Sequence, residues 1–252
     1  MKKVCLLGCG RLGRIIAEAL LAGAVEGAEL AAVFTRSADR ADRLRGELSC
    51  PVSADIHALL AERPDYVVEA AAAAAVKEYA IPIMEAGADL IVLSTSALGD
   101  PEFYGRALAA AESFDRRIHL AHGVTGGLDA VEAAAMMGAL SASITKRKFP
   151  KGSPQSDPAL DMLADGFRGT AEDARLRYPN QLNVAVSLGL AAGSMRGTDV
   201  FVESGSCVDF TITCEGAFGK GVFHTELGAY GPDFAAWSAL AALRRLTDRI
   251  VF

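Results

Sequence analysis

The chain opens on short apolar runs separated by stretches with a helical repeat. "KKVCLL" is a continuous apolar run of strand length, and "RIIAEALLAGA" carries Ile15, Ile16, Leu20 and Leu21 at helical spacing. The alternation then recurs. "ELAAVFT", "DYVVEAA", "DLIVLSTSA" and "RIHLAH" read as strands, while "ADRADRLRGEL", "DIHALLAE", "AVKEYAIPIMEAG" and "PEFYGRALAAAESF" read as helices between them. Strands that alternate with helices predict an α/β fold with a doubly wound parallel sheet, covered on both faces and ending near Ala121.

Beyond Ala121 the pattern changes. "SASITKRKFPKGSPQSDP" combines a strand with a basic loop, and "FRGTAEDARLRYP" and "NVAVSLGLAAG" read as helices. "DVFVES", "CVDFTITCEGAFG" and "KGVFHTELG" alternate β-branched or aromatic residues with polar ones, which predicts antiparallel strands. The final stretch, "PDFAAWSALAALRRLTD", starts at a proline and carries a broad apolar stripe suited to packing on the first domain. The expected organisation is a doubly wound domain over 1–121, a mixed α/β domain over 122–231 and a returning helix over 232–252.

Composition narrows the function classes. Of 252 residues, 51% are hydrophobic and 22% charged, and the net charge of −6 argues against a nucleic-acid surface. No apolar run is long enough to span a bilayer, and the early glycines do not suit a signal peptide, so no membrane partner is expected and the chain reads as cytoplasmic. Cys5, Cys9, Cys50, Cys207 and Cys214 are scattered and odd in number, which supports neither a disulfide framework nor a metal site.

The candidate chemistry begins at "GCGRLG". Gly8, Gly10 and Gly13 follow a strand and open a helix, which is the setting of a dinucleotide-binding turn. Gly8 permits the tight turn, Gly10 lets backbone approach a pyrophosphate, and Gly13 allows close helix packing, with Arg11 and Leu12 beginning the helix whose N–H groups attract the anion. Many NAD-binding chains place a carboxylate at the end of the second strand, but here Thr35, Arg36 and Ser37 stand there. Arg36 suits a 2′-phosphate and Ser37 can donate to it, so NADP is the expected cofactor with NAD possible; Arg40 is placed to assist. The ends of the later strands put Ala70, Ala71, Ser94, Thr95 and Ser96 toward the nicotinamide half, with Gly123 following the last of them. Glu69 is assigned no catalytic role.

"GVTGGLDA", "FRGTAEDARLRYPNQLNVAVSLGLA" and "GAFG" go further. The turn Gly123, Gly126, Gly127, Leu128, Asp129 and the pattern Phe167, Gly169, Ala171, Tyr178, Pro179, Asn183, Val184, Ala185 resemble the L-aspartate dehydrogenase family over nearly the whole chain. The resemblance implies a Rossmann domain followed by a mixed α/β catalytic domain, a homodimer, and hydride transfer between NAD(P) and a small amino acid, imine or keto acid. Asn183 is a candidate site residue on the same ground. Two positions depart from the family pattern. The family's Asn-x-His segment before "GAFG" puts its histidine at about Phe210, beside Asp209, and the family's Asn-Pro-Lys-Thr-Ser reads "GPDFA" here, with Asp233 in place of the lysine. The implied substrate is therefore one that has drifted from aspartate.

Amine oxidation needs a base near neutral pH and a cationic or amide clamp for carboxylate. His122, at a strand end before "GVTGGLD", and His224, in "KGVFHTELG", are the candidate bases; His57 and His119 read as surface or core positions. Lys146, Arg147 and Lys148 form a basic run that reads as a solvated face unless one of them clamps a carboxylate. The alternative to an enzyme is a non-catalytic NADP(H)-binding sensor or regulatory protein.

Overall fold

The computed structural model describes residues 1–154, 166–178, 181–228 and 231–251. The chain forms two compact units, one comprising Met1–Gly123 with Ala235–Phe252 and the other Val124–Phe234.

In the first unit the predicted alternation is present as β1 (Lys2–Leu7), α1 (Arg11–Leu21), β2 (Ala28–Phe34), α2 (Ala38–Arg45), β3 (Val52–Ser53), α3 (Ile56–Ala61), β4 (Tyr66–Glu69), α4 (Ala73–Glu85), β5 (Asp89–Val92), α5 (Pro101–Phe114) and β6 (Ile118–Leu120). The two-residue β3 is too short for a periodic signal and was not expected. All pairings are parallel, in the order β3-β2-β1-β4-β5-β6. Strand order reverses between β1 and β4, which opens a crevice at their carboxyl ends. The sheet is apolar on both faces because both are covered: Val4, Leu6, Val33 and Val68 on one face are buried with Ile16 and Ala17 of α1, and Cys5, Leu7, Val67 and Leu90 are buried on the other.

The last helix, α9 (Phe234–Thr247), belongs to this unit through Ala236, Ala239, Leu240, Ala242 and Leu243, which share its core cluster. Two hydrogen bonds reinforce the packing. The Tyr66 hydroxyl donates to the Leu246 carbonyl at 3.5 Å, and the Gly123 N–H donates to Ser238 Oγ at 3.0 Å.

The second unit contains α6 (Leu128–Met136), β7 (Leu140–Lys148), β8 (Phe167–Thr170), α7 (Ala171–Arg177), α8 (Asn183–Ala191), β9 (Thr198–Ser204), β10 (Val208–Gly216) and β11 (Gly219–Leu227). Its sheet runs β11-β10-β7-β9-β8, with β7 and β9 parallel and the other pairs antiparallel. "FRGT" corrects the expectation of a helix, because Phe167–Thr170 pairs with β9. The helix starts only at Ala171: Thr170 accepts from Asp173 N while the Asp173 carboxylate accepts from Thr170 N, a reciprocal cap that marks the boundary. One face of the sheet carries the core, where Ala142, Ile144, Val200, Phe210 and Ile212 meet Leu128, Ala171, Leu182 and Leu188 of the helical layer. Residues 155–165, of which 155–158 end the basic Pro- and Gly-containing segment, lie outside the described residues.

Candidate functional site

At the β1/β4 switch point the structure forms a cleft of about 260 Å³ lined by Gly8, Cys9, Gly10, Phe34, Thr35, Arg36, Ser37, Arg40, Ala70 and Ala71, among others. Each glycine of the turn has its own physical reason. Gly8 has φ +94° and an added Cβ would lie 2.6 Å from the Ala71 Cβ; at Gly13 the Cβ would lie 2.3 Å from the Gly8 carbonyl oxygen. Gly10 is the opposite case: a Cβ there meets nothing within 4 Å and would project into open space. The first intrahelical bond of α1 runs from Arg14 N to Gly10 O at 2.9 Å, so the N–H groups just before Arg14 have no intrahelical partner, the arrangement that suits an anion, while Gly8 N is already given to the Phe34 carbonyl at 2.9 Å. These features fit a dinucleotide pyrophosphate.

The end of β2 supplies the second half of the cleft. Thr35 is buried, while Arg36 and Ser37 are exposed at its lip. Ser37 caps α2 by accepting from Arg40 N at 3.3 Å, and Arg40 Nη2 donates to the Cys9 carbonyl at 2.7 Å. Arg40 thus ties the start of α2 to the glycine turn, a contact invisible in the sequence because the partners are 31 positions apart.

Glu69, given no role from the sequence, organises the neighbouring strand ends. It is fully buried, and its carboxylate accepts from Ala71 N at 2.8 Å, Leu93 N at 3.2 Å, Ser94 N at 2.9 Å and Ser94 Oγ at 2.9 Å. Burial pushes its pKa above the ordinary carboxylate value, against the hydrogen bonds that favour the charged form. The only signal available in the sequence was a carboxylate ending an otherwise apolar strand.

The remaining expected cofactor positions are spread out. Gly8, Gly10, Thr35, Arg36, Ser37, Ala70 and Ala71 line the cleft together. Arg11 is exposed and Leu12 packs partly buried against the core at the start of α1, while Gly13 is buried in helix-to-turn packing. Ser94 turns its hydroxyl to Glu69, and Thr95 and Ser96 are buried in the 3-10 turn Thr95–Gly99. Gly123 is held by Ser238, and His122 beside it is half-buried just past the end of β6.

In the second unit the structure does not bring the two expected groups together. Asn183 begins α8, in the helical layer over the core face of the sheet. His224 pairs in register with Thr211, which alternates with the core residues Phe210 and Ile212, so it stands on the opposite face. There its Nδ1 lies 2.9 Å from Thr211 Oγ1 and 3.9 Å from a carboxylate oxygen of Asp209. The basic run of β7 is divided in the same way. Arg147 is on the His224 face, 3.4 Å from Asp209 and 3.6 Å from Glu203, whereas Lys146 and Lys148 are buried on the core face. The expectation of a solvated run is corrected for these two, since strand alternation sends them inward.

A doubly wound sheet with a glycine turn at its switch point, joined to a mixed α/β unit, defines the class of NAD-binding oxidoreductases. The family profile described as homoserine dehydrogenase, NAD binding domain, matches residues 8–121, and that described as aspartate dehydrogenase, C-terminal, matches 129–247. L-aspartate dehydrogenase 2 of Bordetella bronchiseptica is 35% identical over 207 residues, covering 79% of this chain and 77% of that protein. L-aspartate dehydrogenase of Methanothermobacter thermautotrophicus is 32% identical over 255 residues, covering 98% and 96%. The crystal structure of aspartate dehydrogenase from Thermotoga maritima superposes with a TM-score of 0.80 at 22% identity, covering 100% of this chain and 99% of that one. The chain belongs to the L-aspartate dehydrogenase family. Among the described residues, no helix is long and apolar enough to cross a membrane.

Proposed function

We propose that this protein transfers hydride between NADP(H) and a small amino acid or the corresponding imine or keto acid, acting in the cytoplasm as a homodimer. The observation that carries the cofactor half is the cleft at the β1/β4 switch point, with an open Gly10 and an arginine rather than a carboxylate at the end of β2. A nicotinamide held there supplies the hydride acceptor or donor. The protein's own part is to grip the pyrophosphate with the N–H groups opening α1, to pair Arg36 and Ser37 with a 2′-phosphate, and to keep the strand ends rigid through Glu69. Relatives named as aspartate dehydrogenases align over almost the full chain, which supports turnover rather than binding alone.

For the amine chemistry, His122 is the proposed base and Asn183 a proposed substrate-holding amide, both half-buried. His224 stands on the opposite face of the second unit's sheet from Asn183. Titration of purified protein with NADPH and NADH by fluorescence, followed by absorbance at 340 nm across a panel of amino and keto acids, tests the reading. Tighter NADPH binding and turnover of one substrate group are expected, and absence of binding by either nucleotide overturns it.

A further inference from the structure

A carboxylate with no counter-ion stands beside the cofactor cleft. Glu69 ends β4, in register with Leu7 of β1 on one side and Val92 of β5 on the other. Leu7, Ala70 and Ala71 all line the cleft, and neighbouring strands lie about 5 Å apart, so the carboxylate is one or two strand spacings from a group seated over these strand ends.

The site is built for the ionised form. Each oxygen takes two donors: Oε1 accepts from Ala71 N and Ser94 Oγ, and Oε2 accepts from Leu93 N and Ser94 N. Three of these donors are backbone N–H groups, which can only donate, and together they oppose the cost that burial places on the charge. Among the described residues, no lysine, arginine or histidine pairs with Glu69. The donors spread its charge without cancelling it, and at 0% exposure solvent does not screen its field.

A nicotinamide ring is a cation when oxidised and neutral when reduced. A dinucleotide with its pyrophosphate on the turn after β1 and its adenosine over β2 extends in the other direction across the sheet, over the ends of β4 and β5 that Glu69 joins. The field of a buried anion there acts on one redox form and not on the other.

We propose that Glu69 sets the redox balance of the bound cofactor, favouring the oxidised, cationic nicotinamide and so making the reduced form a stronger hydride donor. This rests on the proposed dehydrogenase reading and adds an electrostatic role to the structural one. The carboxylate stabilises the positive charge that the ring gains as hydride leaves it for an imine or carbonyl carbon, and it opposes the return of hydride.

The test is calorimetric titration of the full-length protein with NADP⁺ and with NADPH, at a mildly alkaline pH that keeps the carboxylate ionised. The ratio of the two dissociation constants reads the field, because a loosened cleft weakens both nucleotides together. Wild type is expected to hold NADP⁺ at least as tightly as NADPH, a comparison that needs no variant to fold. Glu69→Gln should raise the ratio of the NADP⁺ constant to the NADPH constant by about fivefold or more. Glu69→Asp keeps the charge, and Ser94→Ala removes a donor while keeping the carboxylate, so both should leave the ratio within about twofold of wild type. An unchanged ratio in Glu69→Gln, or a wild type that holds NADPH the more tightly, overturns the proposal while nucleotide binding stays intact. Absence of binding by both nucleotides is the distinct result that removes the dehydrogenase reading, and the proposal with it.

Discussion

Glu69 receives both hydrogen bonds that Ser94 can direct at it, from the backbone N–H and from the hydroxyl, each at 2.9 Å. Because the same carboxylate also takes the N–H groups of Ala71 and Leu93, one buried side chain joins the ends of β4 and β5. Glutamine offers a single acceptor oxygen and would turn its NH₂ toward donors. Glu69→Gln is therefore expected to destabilise the protein by about 2–3 kcal/mol, measured by urea unfolding, and to weaken NADPH binding because Ala71 lines the cleft.

The two later glycines of the turn should respond in opposite ways. An alanine at Gly13 would press its Cβ to 2.3 Å from the Gly8 carbonyl oxygen, so Gly13→Ala should cost about 2 kcal/mol or more in stability. Gly10→Ala meets no neighbouring atom and lies at φ −72°, so its stability should be nearly unchanged. Its nucleotide affinity should nevertheless fall. Thermal melts with and without NADPH separate the two effects.

Arg36 gives the cofactor preference its sharpest check. Removing one charge-assisted pair should weaken NADPH binding by about tenfold in Arg36→Ala while leaving NADH nearly unaffected. Equal losses for both nucleotides would remove the argument for a 2′-phosphate contact. Arg40→Ala should instead weaken both, since its observed partner is the Cys9 carbonyl in the glycine turn.

Asp100 carries a pH-dependent part of the stability. Its carboxylate pairs with Lys77 and also accepts from Glu102 N and Phe103 N to cap α5, and the Lys77 pairing, helped by these N–H groups, holds its pKa below the ordinary value. A folded-state value below the unfolded one means the stabilisation is complete above the unfolded pKa of about 3.9 and is lost as pH falls through the folded value. Asp100→Asn keeps a capping oxygen but not the charge. It should cost less than about 1 kcal/mol at pH 7, because the pair is partly exposed, and match wild type in acid. Urea midpoints from pH 7 to pH 2 provide the comparison.

Much of the first unit was legible in advance because local rules suffice there. A buried parallel strand must be a short apolar run, a helix on it must show an apolar stripe, and a phosphate turn must use glycine where a Cβ would collide. "FRGT" was misread for an equally local reason. Its four residues have no periodicity of their own, and only the ladder to β9 makes them a strand.

What the amino-acid order determined alone was the α/β alternation, the glycine turn and the absence of a carboxylate after β2, since each follows from steric or electrostatic demands within a few residues. Tertiary structure alone decided that Glu69 joins two strand ends, that Arg40 reaches Cys9, that Lys146 and Lys148 turn inward while Arg147 turns out, and that His224 and Asn183 lie on opposite sides of a sheet. These depend on register and on contacts between distant positions. A shift of one residue along β7 would exchange its two faces, and no property of that segment read by itself chooses between them.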